Sequence, residues 1–159
     1  MTDAAYLTPP LEIEERFLDY NGHVNMAYQL VLADRALDFA FAEIKGGAYL
    51  DERGMTTFAA EMHVRYLCEI RMGDEIRGRV RFTASDAKRA IWAIELVRGP
   101  ELEVTTTVEG VSLSVELASR KVKPFPGDVA AKLADAVALH APGVAKLRWL
   151  GRRVAMSKA

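Results

Sequence analysis

The chain has one cysteine, Cys68, in 159 residues. No internal disulfide can form, so the core must hold the fold, which suits a reducing cytoplasm. Net charge is almost missing too. With 21 Lys and Arg against 22 Asp and Glu, the formal charge is −1, and nucleic acid finds no global electrostatic support. No window approaches the ~18 uninterrupted apolar residues of a membrane span. The start of the chain, with Asp3 and no apolar run behind a basic segment, predicts no signal peptide. There is no internal repeat, no low-complexity tract, no Gly-rich phosphate loop and no Gly-x-Ser-x-Gly elbow, which disfavours nucleotide hydrolysis and serine-hydrolase chemistry. His23, His63, Asp19 and Glu61 are suitable ligand types, but His-x-x-x-His and Cys-rich spacings are lacking and no metal centre is expected. Nothing near Cys68 marks it as a nucleophile, and it is expected to be buried or inert.

What is present is the mix of an ordinary globular protein, 50% apolar and 27% charged, enough for one domain over residues 1–159. Met1 to Pro10 reads as an arm stiffened by Pro9-Pro10. Leu11 to Leu18 alternates partly and predicts a strand. From Met26 to Ile44, Leu30, Ala33, Leu37 and Phe41 recur at helical spacing, predicting a long amphipathic helix stopped by Gly46-Gly47. Ala48 to Met55 predicts a connection with a turn at Glu52-Arg53-Gly54.

From Thr56 the period becomes two. Phe58, Ala60, Met62, Val64 and Tyr66 are expected on one face, with Ala59, Glu61, His63, Arg65 and Leu67 on the other. Met72 to Glu75 predicts a hairpin turn, then Ile76 to Thr83, Ala90 to Val97 and Leu102 to Leu117 predict strands, with Gly110 a candidate bulge. Asp128 to His140 predicts a short helix ended by Pro142-Gly143. The tail from Val144 carries Lys146, Arg148, Arg152, Arg153 and Lys158. Helix plus antiparallel strands gives an α+β layer curled round a helix.

The densest polar stretch is Asp19 to Tyr28, with Asp19, Asn21, Gly22, His23 and Asn25 just ahead of the long helix. A turn needs one or two such residues, and a helix start leaves backbone N–H groups unpaired. Asp19 is therefore either a turn or cap residue, or a carboxylate for attack or base catalysis on an ester. Asn25 is favoured as the cap, with water orientation as the alternative. Gly22 permits a tight turn or a close ligand approach.

Asp19-x-x-Gly22-His23-Val24-Asn25-x-x-Tyr28 at the head of a helix resembles the signature of hotdog-fold acyl-CoA thioesterases of the 4-hydroxybenzoyl-CoA type. Glu61-x-His63-Val64-Arg65-Tyr66-Leu67, Gly73-Asp74 and Ser119-Arg120-Lys121 followed by Pro124 and Pro126 continue the likeness in order, over residues 10 to 126. Within the family, these motifs are most similar to betainyl-CoA thioesterases of carnitine breakdown. The resemblance implies a long central helix wrapped by a curved antiparallel sheet, with the C-terminal helix and tail, residues 127–159, added. It also implies hydrolysis of a small acyl-CoA, Asp19 as nucleophile or general base, and the amide near Met26 as donor to the thioester carbonyl. No cofactor is expected beyond the coenzyme A of the substrate, and a homodimer or homotetramer is expected because relatives build sites at a seam between sheets.

Other candidates carry two readings each. His23 either positions water or makes a structural hydrogen bond. Glu61, His63 and Arg65 either form a paired surface row or place Glu61 and His63 in an acyl pocket of the neighbouring subunit, where a trimethylammonium group would suit Glu61 and an aromatic wall from Trp92, Tyr66 and Tyr28. Lys88-Arg89, and Arg77, Arg79 and Arg81, are either solvated charge or a rim for coenzyme A phosphates. The rival to a hydrolase is a hotdog module that binds an acyl thioester without turnover, and a dehydratase is a further reading on this fold.

Overall fold

A computed structural model of the chain describes residues 4–46 and 49–156; Gly47 and Ala48 of the expected helix stop and connection, and Lys158 of the tail, lie outside them. The elements are β1 (Tyr6–Leu7), α1 (Met26–Lys45), α2 (Tyr49–Arg53), β2 (Met55–Tyr66), β3 (Ile76–Ser85), β4 (Arg89–Arg98), β5 (Glu103–Glu116), β6 (Lys121–Val122) and α3 (Gly127–Val144). All strand pairings are antiparallel, in the order β1-β3-β4-β5-β2, with β6 on β5. The sheet wraps α1, as the hotdog resemblance implies.

α1 buries Leu32, Ala33, Ala36, Leu37, Ala40 and Phe41 against β3 and β4. Its start lies by the end of β2, where the Tyr66 hydroxyl donates to the Met26 carbonyl at 3.1 Å. Its far end lies by the start of β2, where Lys45 Nζ donates to Thr57 Oγ1 at 2.6 Å. The helix can approach the sheet this closely because β3 carries Gly78. A methyl there would lie 2.2 Å from Ala36 Cβ and 3.3 Å from Thr8 Cγ2. Thr8 seals the same spot, its hydroxyl accepting from the Gly78 N–H at 2.9 Å.

Several sequence expectations are corrected. Leu11 to Leu18 is not a strand. It holds a 3₁₀ turn, Glu15–Phe17, and pairs with the sheet at the Leu11–Ile76 bridge, while the extended residues come earlier, within the expected arm. Phe17 has no exposure, and Arg35 of α1 both pairs with Glu14 (2.7 Å) and sits over the Phe17 ring. Hydrogen bonds from Arg16 and Arg35 hold the Glu14 carboxyl at about 2. The 48–55 connection contains α2. Met72 to Glu75 is no hairpin between neighbours, since β2 pairs with β5 and β3 with β4. Gly110 is not a bulge. It leaves room for Trp92, whose Cη2 would lie 2.4 Å from a methyl there. The register shifts lie elsewhere: at Ala60 of β2, between the Ala59–Ser112 and Glu61–Val111 pairs, at the Phe82–Ala84 step of β3, and at Thr105 of β5, between the Leu96–Thr106 and Val97–Val104 pairs.

α3 starts one residue earlier than expected and runs on through Pro142 to Val144. It lies along β3 and covers the part of that edge which β1 does not pair. There His140 Nδ1 accepts the Phe82 N–H at 3.0 Å. Burial, and then the nearby Arg81 cation, push the His140 imidazole below its ordinary 6.5. The tail is held at Gly151, whose N–H donates to Glu109 at 2.7 Å, and residues 152–156 beyond it are exposed. Cys68 is half-buried rather than fully so, its Sγ 3.8 Å from a Glu103 oxygen. No helix among the described residues is long and apolar enough to cross a membrane.

Two stability outcomes follow. Gly78→Ala should lower the unfolding free energy by ~1–3 kcal/mol or more through overpacking, read as a reduced urea midpoint with unchanged slope. For His140 the folded value is depressed, so as pH falls through about 6.5 the unfolded chain takes up a proton first and stability drops until the folded value is passed. His140→Asn, which keeps an acceptor for the Phe82 amide, should flatten that loss in a series of denaturation curves from pH 7 to about 5.

Candidate active site

The stretch ahead of α1 folds back on itself as a short antiparallel ladder. The Asn25 N–H donates to the Phe17 carbonyl (2.8 Å), Leu18 bridges Val24, and the Asp19 N–H donates to the His23 carbonyl (2.8 Å). Gly22 closes the tip with φ at +76° and donates to the Asp19 carbonyl at 2.9 Å, a conformation that disfavours a side chain. The second arm of the ladder runs straight into the helix. Its outer side is held by the segment after β2, where the Val24 N–H donates to the Ile70 carbonyl at 2.8 Å and His23 bridges Arg71.

The helix start is only partly satisfied. Asn25 is the cap, its Oδ1 accepting the Ala27 N–H at 2.9 Å and its carbonyl accepting from Tyr28 and Gln29. The Met26 N–H has no acceptor among the described residues, and the Met26 side chain is 63% exposed. This donor lies at the positive end of a 20-residue helix. Asp19 is half-buried on the same ladder. One oxygen, Oδ1, accepts the Asn21 N–H at 2.8 Å and, more weakly, the His23 N–H at 3.5 Å. Neither contact uses Oδ2.

His23 Nε2 lies 2.9 Å from Glu69 Oε2, which Arg71 also contacts at 2.9 Å. The Gly73-Asp74 turn supports this crossing, since the Asp74 carboxylate accepts both the Arg71 N–H (2.9 Å) and Arg98 Nη1 (3.2 Å). Glu69 carried no signal in the sequence, being one acid among many in an exposed turn.

Next to Met26 opens an apolar cleft of about 220 Å³ between α1 and the inner face of the sheet. Ala27, Leu30, Val31 and Asp34 line it from the helix, and Met62 and Trp92 from the strands. Trp92 is fixed in its floor, with Nε1 donating to Ser112 Oγ at 2.9 Å. Leu30 belongs to the helical apolar pattern and Met62 to the strand's apolar face, and a periodic apolar pattern is the same whether it faces a side chain or a void. Tyr28 is turned away from this cleft and stacks on Phe17, ring centres 4.6 Å apart.

The remaining candidates are not brought to this place within one chain. Glu61 and His63 share the sheet face opposite α1, in a separate depression with Glu109, Gly151 and Arg152, and His63 is the register partner of Glu109. Lys88 in the β3–β4 turn and Arg89 at the start of β4 lie at the other end of the sheet from Met26. Asp86 caps that turn through both of their N–H groups and pairs with the Arg89 guanidinium, which holds its carboxyl at about 2. Arg77 pairs with Glu75 on the surface, while Arg79 and the buried Arg81 converge on Glu95 at 2.8 and 2.9 Å. Among the described residues no group of three or more His, Cys, Asp or Glu could hold a metal ion.

The chain is 28% identical over 136 residues to betainyl-CoA thioesterase of Pseudomonas aeruginosa, covering 85% of this chain and 84% of that one. It is 27% identical over 130 residues to L-carnitine dehydrogenase/betainyl-CoA thioesterase of Rhizobium meliloti, covering 82% of this chain but about a quarter (26%) of that longer protein. In structure it is similar to a hypothetical protein of Staphylococcus aureus solved in complex with CoA, with a TM-score of 0.83 and 20% identity over 99% and 98% of the two chains. A family model described as Thioesterase-like superfamily matches residues 14–133, from the Glu14 that anchors the ladder into α3, and the chain belongs to that superfamily.

Proposed function

We propose that the protein hydrolyses the thioester of a small acyl-CoA, giving the free acid and CoA. The observation that carries this reading is the unengaged Met26 N–H, at a helix start beside an apolar cleft. A carbonyl oxygen accepting from that amide meets a donor that needs no reorganisation as charge develops on it. Asp19 then either attacks the carbonyl carbon, forming an anhydride that water opens, or takes a proton from the attacking water. In both routes the C–S bond breaks and the thiolate leaves to be protonated. Asn25 holds the helix start, and His23, through Glu69, holds the ladder.

For the acyl group we favour betainyl. The two curated relatives carry that activity in their names, and the cleft offers an indole floor and the Asp34 carboxylate, a combination that favours a small cation. Short aliphatic or aromatic acyl groups are the second choice, because the rest of the lining is apolar. The protein acts as a homodimer in this reading. β2 is a 12-residue edge strand, and it leaves Phe58 41% and Met62 47% exposed. A long apolar edge invites pairing with another copy. Its subunits of 17.6 kDa should sediment as a pair, and a monomer at micromolar concentration would remove the dimer.

Free-thiol release over a panel of betainyl-, short aliphatic and aromatic acyl-CoAs tests the chemistry. Asp19→Asn should lower turnover ~10²–10⁴-fold. Met26→Pro is the sharper variant. Proline is well tolerated at the first helical position, and Asn25, at φ −57° and ψ 147°, already has the backbone that a following proline requires. Of the backbone groups only the N–H is lost, and the exposed Met26 side chain goes with it, with an expected drop of ~10²–10³-fold in kcat at near wild-type Tm; Met26→Ala, which keeps the N–H, should retain kcat. Turnover unchanged in both Asp19→Asn and Met26→Pro would remove these roles, and no release from any acyl-CoA would leave the chain as a binding module.

A further inference from the structure

We infer that Gln29 is a positioning residue, its side-chain amide fixing the backbone that aims the Met26 N–H; the inference rests on the proposed use of that N–H. Gln29 lies in the first turn of α1 and is 6% exposed, in a helix whose other buried positions are apolar. Its Nε2 donates to the Val24 carbonyl at 3.3 Å, and its Oε1 accepts the hydroxyl of Thr106 on β5. The orientation is single-valued. The Val24 carbonyl can only accept, so a flipped amide would set two oxygens against each other.

The consequence is mechanical. The Val24–Asn25 peptide is held at both ends, its carbonyl by Gln29 and its N–H by the Phe17 carbonyl. The next peptide is held at its carbonyl, which accepts from Tyr28 (2.9 Å) and Gln29 (3.1 Å). In a planar trans peptide the N–H is anti to the carbonyl, so the Met26 N–H points away from the helix body. Only the two backbone torsions of Asn25 separate these planes. With both planes pinned, the direction of the free donor is set relative to β5, through Thr106. A methionine at position 29 would fill similar space without burying an amide. The amide therefore serves what it holds, and a donor misplaced by an ångström can cost ~10²-fold in rate.

The test uses Gln29→Met, which keeps length and removes both hydrogen bonds, Thr106→Val, which removes the orienting hydroxyl, and Thr106→Ser, which restores it. Gln29→Met should lower kcat ~10–100-fold with KM within about twofold. Thr106→Val should lower kcat less, Thr106→Ser should recover wild-type kcat within about twofold, and the Gln29→Met/Thr106→Val pair should be no worse than Gln29→Met alone. The pH profile of kcat should keep its shape, since no titrating group is touched. A second readout is independent of activity: the Met26 amide resonance in ¹⁵N-labelled protein should shift or broaden in Gln29→Met and Thr106→Val but not in Thr106→Ser. If wild type releases no thiol while that resonance responds, the hydrolase reading fails and the positioning stands. If the resonance is unmoved, or kcat is kept while only Tm falls, Gln29 is a packing residue and the inference is overturned.

Discussion

The three-residue ladder between Phe17–Asp19 and His23–Asn25 sets the geometry of the whole helix start. A helix of this length would form and bury its stripe wherever its first residue lay. What makes its amino end useful is that the chain before it is pinned on one side by Phe17 and on the other by Ile70. The ladder also divides the work of the Asp19 carboxylate. Oδ1 closes the turn through the Asn21 N–H, and that contact does not use the second oxygen. A cap and a reacting group are often treated as alternatives for such an aspartate. A carboxylate has two oxygens and several lone pairs, and here the turn uses one while the proposed reaction uses the other.

The bulge at Ala60 decides what β2 can offer. Before it, Ala59 pairs with Ser112 and faces α1; after it, Met62 pairs with Gly110 and faces α1 as well. One extra residue therefore turns Phe58 to the far face, where the Arg120 guanidinium lies 5.7 Å from its ring, and leaves small Ala59 beside the cleft. With unbroken alternation that face would carry Phe58 toward the helix, and the void beside Ala27 would be narrower. The same bulge twists an edge strand, which affects how a second copy can pair with it.

Much of this was legible in the sequence, and the failures have physical causes. α1, β2 to β5 and the Asp19 turn are strong local patterns: long runs of one period, or a cluster of turn residues, that no tertiary contact overrides. Leu11 to Leu18 looked like a strand because Leu11 and Ile13 alternate. Phe17 and its stacking on Tyr28 instead pull the chain into a 3₁₀ turn, a contact 11 residues apart in sequence that periodicity does not record. Arg79 and Arg81 looked like solvated charge, yet the shared partner Glu95 lies on another strand. Gln29 appears in the sequence only as a polar residue on the polar side of a helical pattern. Its burial depends on Thr106 arriving from β5, 77 residues away.

The free N–H of Met26 lies at the Tyr66–Thr106 end, and Lys88 and Arg89 at the Ser114 end, about eight residues or ~26 Å apart along β5. Within one chain the helix dipole and these two cations act at separate places, too far for a compact acyl group to feel both. If the proposed dimer pairs β2 with a second β2 in antiparallel fashion, one sheet is reversed against the other. The basic turn of one copy is then carried to the same end as the helix start of its neighbour. A substrate with its thioester at one amide-rich helix end and its phosphates several strands away matches that arrangement, because coenzyme A separates its own charge from its reacting sulfur by a long, flexible arm. In the proposed dimer the bare edge and the distant basic turn, unrelated in the single chain, would serve one substrate.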